Sequence, residues 1–258
     1  MILCLDVGNS QIFAGIFSSD KLLLRLRMNS QHNYTSDQYG IMLRSILKEN
    51  DIDCYKIREI AMCSVVPQID YSLRSACRKY FRIDPFILQD GIKKDLKIKY
   101  RNPLEIGADR IANAIAAIRL FPNKSIIIID FGTATTLCAI SKNREYLGGI
   151  ILAGMRLSMN ALQDNTTKLS SVEITRPKSI VGRSTCESIQ SGLYYGQLST
   201  LQGLINRIHN EAFPDEKQLI IIGTGGFAGL FEFEHLFTTL IPDLVLHGLR
   251  IALYENVK

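Results

Sequence analysis

The chain has 258 residues, of which 47% are hydrophobic, and a formal net charge of +5. That content supports a sizeable buried core and excludes a disordered chain; it suits one large domain or two of roughly 120 residues each. The charge is mild and the basic residues are scattered, with only short clusters such as Lys93-Lys94 and Lys97 to Arg101. Neither nucleic acid nor a membrane is therefore an expected partner.

In chain order, an apolar strand from Ile2 runs into Asp6 and, one residue on, the turn Gly8-Asn9-Ser10. Gln11 to Phe17 and Leu22 to Leu26 follow as strands, with a turn at Ser18-Ser19-Asp20, so the chain opens on antiparallel pairing. The period then changes. Tyr39, Met42, Leu43, Ile46 and Leu47 share one helical stripe, with Thr35, Ser36 and Asp37 as caps. Ile60 to Val66 reads as a buried strand stopped by Pro67. Ile69, Leu73, Ala76, Cys77 and Tyr80 mark a second helix before a short strand from Phe86 to Leu88. A helix starting near Gly107, with the apolar face Ile111, Ala114, Ile115 and Ile118, is the expected hinge before a second core.

The second half repeats the plan. Ile126 to Asp130, Thr135 to Ile140 and Tyr146 to Ile151 read as strands, with a hairpin turn at Asn143-Arg144 and close backbone approach at Gly148-Gly149. A polar stretch from Gln163 to Ser179 is expected to be mobile. A helix from about Thr185 to His209, a strand from Leu219 to Ile222, the cluster Gly223-Thr224-Gly225-Gly226 and a last helix from Leu246 to Tyr254 complete the chain. The alternation predicts α/β layering.

The six cysteines contain no Cys-x-x-Cys pair and mostly sit in apolar runs, which fits buried thiols in a reducing cytosol. No stretch approaches the length of a membrane span, and an acid at position six leaves no secretory leader, so a cytoplasmic protein is expected. His32, His209, His235 and His247 show no metal-ligand spacing.

Two segments begin alike, Ile2-Leu3-Cys4-Leu5-Asp6-Val7-Gly8-Asn9-Ser10 and Ile127-Ile128-Ile129-Asp130-Phe131-Gly132-Thr133-Ala134-Thr135. In each, the glycine lets the backbone close on an anion while hydroxyls and amide groups point inward. The acid ending the strand can hold a hydrated cation beside transferring phosphates, although a lone copy serves equally as a turn cap. The Gly223 to Gly226 cluster leaves room for a flat base. Between the halves, Gly107-Ala108-Asp109-Arg110 sets an acid beside an arginine at a helix start. That acid can take the proton of an attacking hydroxyl while the arginine and helix N-terminus hold an anionic group. Equally, it can be a first-turn acid favoured by the helix dipole.

Together with Gly148-Gly149, Gly154, Gly182-x-x-Thr185 and Gly192-Leu193-Tyr194-Tyr195-Gly196, these motifs resemble the type III pantothenate kinases of the acetate and sugar kinase, Hsp70 and actin superfamily. The resemblance runs through Pro242-Asp243-Leu244-Val245, essentially the whole chain. It implies an α/β fold of two similar ribonuclease H-like domains of the actin-like ATPase type, with mixed sheets flanked by helices and a cleft between them. The domains would be residues 1–115 and 116–258, the second carrying dimer-forming helices.

The family phosphorylates the primary hydroxyl of pantothenate with ATP, giving 4'-phosphopantothenate on the route to coenzyme A. By resemblance, ATP would contact Asp6, Val7, Gly8, Asn9, Ser10, Gln11, Ile12, Phe13 and Thr133, with Asp6 near Mg²⁺ directly or through water. Asp109 would be the general base. Tyr100, Gly107, Ala108, Asp109, Arg110 and Thr185 would hold pantothenate, Thr185 from across a homodimer with shared active sites. Asp130 would coordinate a monovalent cation, K⁺ or NH₄⁺.

Ser10 stands where threonine is usual in the family and keeps the hydroxyl, whereas Ala153 replaces a usual proline and removes a rigid position. Two other readings share the phosphate turns: a kinase of the same superfamily acting on a sugar or short acid, and a non-catalytic ATP-binding regulator. The second has no need of Asp109 or Thr185.

Overall fold

Both faces of β1 (Ile2–Val7) are covered, which is why its sequence is apolar almost throughout and Asp6 is its one half-buried member. In the computed structural model, which describes residues 1–30, 33–89 and 95–257, β1 starts an antiparallel meander with β2 (Gln11–Ser18) and β3 (Lys21–Asn29). His32, Lys93 and Lys94 lie outside the described residues. α1 (Ser36–Glu49) opens on a capping box, Thr35 Oγ1 accepting from Gln38 N–H at 3.3 Å while Thr35 N–H donates to Gln38 Oε1 at 2.8 Å. Its Tyr39, Leu43 and Leu47 face the core.

β4 (Glu59–Ser64) returns parallel to β1, and Pro67 then begins α2 (Pro67–Ala76), where a missing N–H costs nothing. A π-helical turn, Cys77–Phe81, extends α2 until Arg82 turns left-handed at φ 59°. β5 (Phe86–Ile87) completes a sheet of order β3-β2-β1-β4-β5. Leu3, Leu5 and Val7 pack with α1 and α2 on one face of this sheet.

β6 (Lys97–Ile98) and α3 (Ala108–Leu120) precede the second meander, β7 (Ile126–Phe131), β8 (Ala134–Ser141) and β9 (Glu145–Ala153). Then come α4 (Met155–Asp164), α5 (Thr185–Ala212), β10 (Ile220–Gly225), β11 (Thr239–Leu240) and α6 (Leu244–Val257). The sheet order is β11-β10-β7-β8-β9-β6, with β10 parallel to β7. Read from β9 to β11, it repeats the first sheet's pattern. Ile127, Ile129, Phe131 and Leu137 pack with α4 and α5.

The chain divides into two compact units. The first comprises Met1–Asp95, Arg101–Ala116 and Leu244–Lys258, the second Leu96–Tyr100 and Ala117–Asp243. This division departs from contiguous domains 1–115 and 116–258 in two places. α6 belongs with the first unit because Gly248 meets α3 so closely that a Cβ there would lie 1.8 Å from Ala112 O. β6 belongs with the second because it pairs with β9. The helix expected as a hinge spans the division, and beyond its expected apolar face it also buries Ala112, Ala116 and Ala117.

The polar stretch after Gln163 is tied down rather than loose. Leu169, Val172 and Ile174 pack on the second core, Gln190 Nε2 donates to Glu173 O at 2.9 Å, and Arg176 pairs with Glu234 at 2.9 Å. Its start is the end of α4, a helix the sequence reading did not include. No helix among the described residues is long and apolar enough to cross a membrane.

Candidate active site

The first turn is closed by its own backbone and by β3's exit. Gly8 N–H donates to Gln11 O at 3.0 Å, Ser30 N–H to Ser10 O at 3.1 Å, and Ser30 Oγ to Gly8 O at 2.5 Å. Asn9, Ser10 and Gln11 are exposed at the tip. Val7 and Ile12 send their side chains into the core, so only their main chain could meet a ligand, and Phe13 lies beneath the Arg27 guanidinium at 4.0 Å. Ser30 was not among the expected site residues. It follows the third strand, and nothing local in the sequence shows that it folds back on Gly8.

Asp6 falls on the face opposite Leu5 and Val7 and stands directly across from Cys63 of β4. The buried Cys63 thiol donates to Asp6 Oδ1 at 3.3 Å. Burial pushes this thiol well above its ordinary range, and the carboxylates of Asp6 and Asp109 push it further, so both acids lie within its electrostatic reach. Asp109 is in the first turn of α3. Arg110 N–H donates to its Oδ1 at 2.8 Å, and the Gly107 Cα lies so near that a Cβ would come within 2.4 Å of the same oxygen. Arg110 Nη2 donates to Glu105 O at 3.2 Å, while Asn102 Oδ1 accepts from Leu104 N–H and its Nδ2 donates to Glu105 Oε1. The Gly107–Arg110 corner is thus held by hydrogen bonds of its own.

In the second unit, Gly132 N–H donates to Ala134 O at 3.1 Å and Gly154 N–H to Thr133 O at 3.2 Å, leaving Gly132 and Thr133 exposed. A Cβ on Gly154 would lie 2.3 Å from Thr133 O, so the residue after Ala153 has to be glycine whatever rigidity the absent proline would add. Asp130 stands opposite Thr136 and Thr224. A Cβ on Gly225, whose φ is +88°, would come within 2.4 Å of Asp130 Oδ1. In the cluster read as a space for a base, Gly225 therefore serves the Asp130 carboxylate and Gly223 serves packing with Phe237 and Leu240; only Gly226 faces open space.

Tyr100 packs edge-on to Tyr146 at 6.3 Å between ring centroids and lies beside Gly148. Thr185 is the exposed first residue of α5, after Ser184 as N-cap and beside Glu187, which accepts Arg183 N–H at 2.6 Å. Gly182 sits against the first turn of this helix, where a Cβ would be 2.5 Å from Ser188 N. Of the expected site, the first unit thus carries Asp6 to Phe13 and Gly107 to Arg110. The second carries Tyr100, Asp130, Thr133 and Thr185.

The described residues hold no group of three or more His, Cys, Asp or Glu able to bind a metal by themselves. One carboxylate, Asp6, beside a turn of amides and hydroxyls fits a cation that arrives with phosphates and keeps water among its ligands. Asp130 in its glycine-lined niche likewise fits a cation bound by one carboxylate and main-chain oxygens.

Two sheets built to one plan, each with an acid and a glycine turn at the same register, define the actin-like ATPase and sugar kinase class of α/β proteins. Solved structures agree on the fold: a ROK hexokinase from Thermus thermophilus matches 99% of this chain and 98% of its own with TM-score 0.51 at 13% identity. An ethanolamine utilization protein, EutJ, from Carboxydothermus hydrogenoformans matches 96% and 88% with TM-score 0.55 at 14% identity. The family profile described as type III pantothenate kinase matches residues 2–207. A type III pantothenate kinase of Legionella pneumophila is 61% identical over 99% of both chains, and type III pantothenate kinase 1 of Francisella tularensis is 50% identical over 99% of this chain and 100% of its own. The chain belongs to the type III pantothenate kinase family.

Proposed function

We propose that this protein transfers the terminal phosphoryl group of ATP to the primary hydroxyl of pantothenate, giving 4'-phosphopantothenate, the first step toward coenzyme A. Beyond family membership, the observation that carries the reading is that the Asp6 turn and the Asp109 corner belong to one compact unit, with both carboxylates within electrostatic reach of the buried Cys63. A kinase needs its phosphate turn and the carboxylate that receives the alcohol proton in one neighbourhood. A regulator that only binds ATP needs no such second acid.

In this reading Asp109 is the general base, with Oδ1 occupied by Arg110 N–H and Oδ2 left for the proton. The transition state of phosphoryl transfer is loose, so Asp109 acts mainly by orienting the hydroxyl and taking its proton late. Clamping of the phosphate oxygens lowers more of the barrier, through the exposed amides and hydroxyls of Asn9, Ser10, Gln11 and Thr133. Gly107, Ala108, Arg110 and Tyr100 hold pantothenate, the Arg110 guanidinium facing its carboxylate. Mg²⁺ on Asp6, directly or through water, and K⁺ or NH₄⁺ on Asp130 supply positive charge that offsets the phosphates.

The acting species in this proposal is a homodimer, with Thr185 reaching the pantothenate of the other protomer. Gly192, Gly196, Ser199 and Gly203 all lie exposed on one face of α5, and apart from the helix's own adjoining backbone no atom comes within 4 Å of a Cβ built on any of the three glycines. A strip of small residues lets a second helix approach closely. Ile180 and Val181, 66% and 73% exposed beside the start of α5, add apolar surface for such a partner.

The test is to incubate purified protein with ATP, Mg²⁺ and K⁺ and follow ADP release with pantothenate, glycerol, acetate or glucose. Release with pantothenate alone is expected. Equal release with another acceptor, or none with pantothenate, overturns the assignment.

A further inference from the structure

Cys63 belongs to none of the motifs that define the family resemblance, yet its side chain meets the carboxylate of Asp6. Its thiol is fully buried and donates to Asp6 Oδ1 at 3.3 Å, a normal length for a sulfur donor. The strands that carry the two residues are paired in parallel from Ile2↔Glu59 to Val7↔Ser64, with Asp6 and Cys63 as direct Cα partners. The ladder therefore sets the thiol-to-carboxylate distance, and neither backbone can move away from the other alone. The second unit repeats the arrangement: Thr224, buried and hydroxyl-bearing, stands directly opposite Asp130 on the parallel neighbour β10.

We propose that Cys63 is a positioning residue that holds one oxygen of Asp6 and so presents the other to the metal-nucleotide. The proposal rests on the reading of the first turn as the nucleotide site. A thiol set against a carboxylate oxygen can only be the donor of the pair, since an ionised carboxylate only accepts. Removing the donor takes away one of the contacts that orient Asp6, and the cost falls on metal-dependent nucleotide binding rather than on pantothenate.

The experiment compares wild type with Cys63→Ser, which keeps a donor, and with Cys63→Ala and Cys63→Val, which have none. ATP binding is measured by calorimetry across a Mg²⁺ series, alongside the KM for pantothenate. The expected result is about tenfold weaker Mg²⁺-dependent ATP binding in the alanine and valine variants, less than about threefold in the serine variant, and an unchanged pantothenate KM. An infrared difference spectrum of wild type against Cys63→Ser isolates the thiol's S–H stretch. That band should lie below the position of a free thiol and shift back in Asp6→Asn, and it decides the matter even if the apolar variants fail to fold. Equal ATP binding in all four proteins, a serine variant as weak as alanine, or an S–H band at the free-thiol position overturns the tether while the nucleotide site stands. Absence of ATP binding in wild type overturns both.

Discussion

The two units close the same kind of turn with different means. In each, the residue after the third strand donates its N–H back to the last turn residue: Ser30 to Ser10 at 3.1 Å in the first, Gly154 to Thr133 at 3.2 Å in the second. In each, a residue beyond the parallel strand donates to the residue after the acid, Val65 to Val7 at 3.0 Å and Phe227 to Phe131 at 3.5 Å. The first turn has one more residue, Gly8-Asn9-Ser10 against Gly132-Thr133, and is locked by a side chain, Ser30 Oγ on Gly8 O. The second is locked by the absence of one, since a Cβ on Gly154 or Gly225 would strike the turn or Asp130. A duplicated frame thus keeps its hydrogen bonds while the surroundings of the two acids differ, a three-residue turn with an exposed tip in one half and a glycine-lined carboxylate niche in the other; the proposed function assigns the nucleotide and the base to the first.

The sharpest way to break this division of labour is Asp109→Asn in the first unit. Turnover should fall about 10²-fold or more while ATP affinity measured by calorimetry stays near wild type. An equal loss of nucleotide affinity would show that Asp109 serves binding instead.

The two strand-end acids can then be separated directly. Asp6→Asn should raise the Mg²⁺ needed for half-maximal rate by about tenfold with little change in K⁺ dependence, and Asp130→Asn should do the reverse. If both variants shift the same ion, the two turns are not specialised.

The small-residue face of α5 belongs to the second unit alone. Gly196→Leu should leave the fold intact, because the position faces open space, yet move the species seen by sedimentation toward a monomer and lower turnover about tenfold if Thr185 acts across the interface. A variant still dimeric and active would place the interface elsewhere.

Alkaline pH should weaken the first unit before the second. Cys77 is pushed up to about 12, chiefly by burial, and burial likewise raises Cys4 and Cys63 above the ordinary 9.0. A folded-state pKa above the unfolded one gives stability that is complete below pH 9.0 and lost as pH climbs through the folded values. The second unit buries one thiol, Cys138, against three in the first, and has Tyr194 raised in the same sense, by burial and then by Glu234, from an ordinary value of 10.0. Hydrogen exchange followed from pH 9 to 12 should therefore open β1 and β4 before β7 and β10. The reverse order would remove the buried thiols from the explanation.

The smallest effect belongs to the lock on the first turn. Ser30→Ala should cost about 1 kcal/mol, read as a few-fold rise in the KM for ATP with kcat nearly unchanged. No change would mean that the turn holds its shape through Gly8 and Gln11 alone.

What the sequence determined by itself was local and periodic. The apolar runs ending in Asp6 and Asp130, the stripe of Tyr39, Leu43 and Leu47, and the capping at Thr35 each depend on residues a few positions apart, so patterning and backbone propensity suffice to read them. The duplicated plan was legible because the same strand-acid-glycine order occurs twice. Only tertiary structure decided the rest: that α6 joins the first unit, that Leu169, Val172 and Ile174 hold down a polar stretch, and that Ser30 and Cys63 reach Gly8 and Asp6. Those pairings join residues far apart in the chain. Their geometry follows from strand register and from where glycines let backbones meet, and neither is written in any short window of residues.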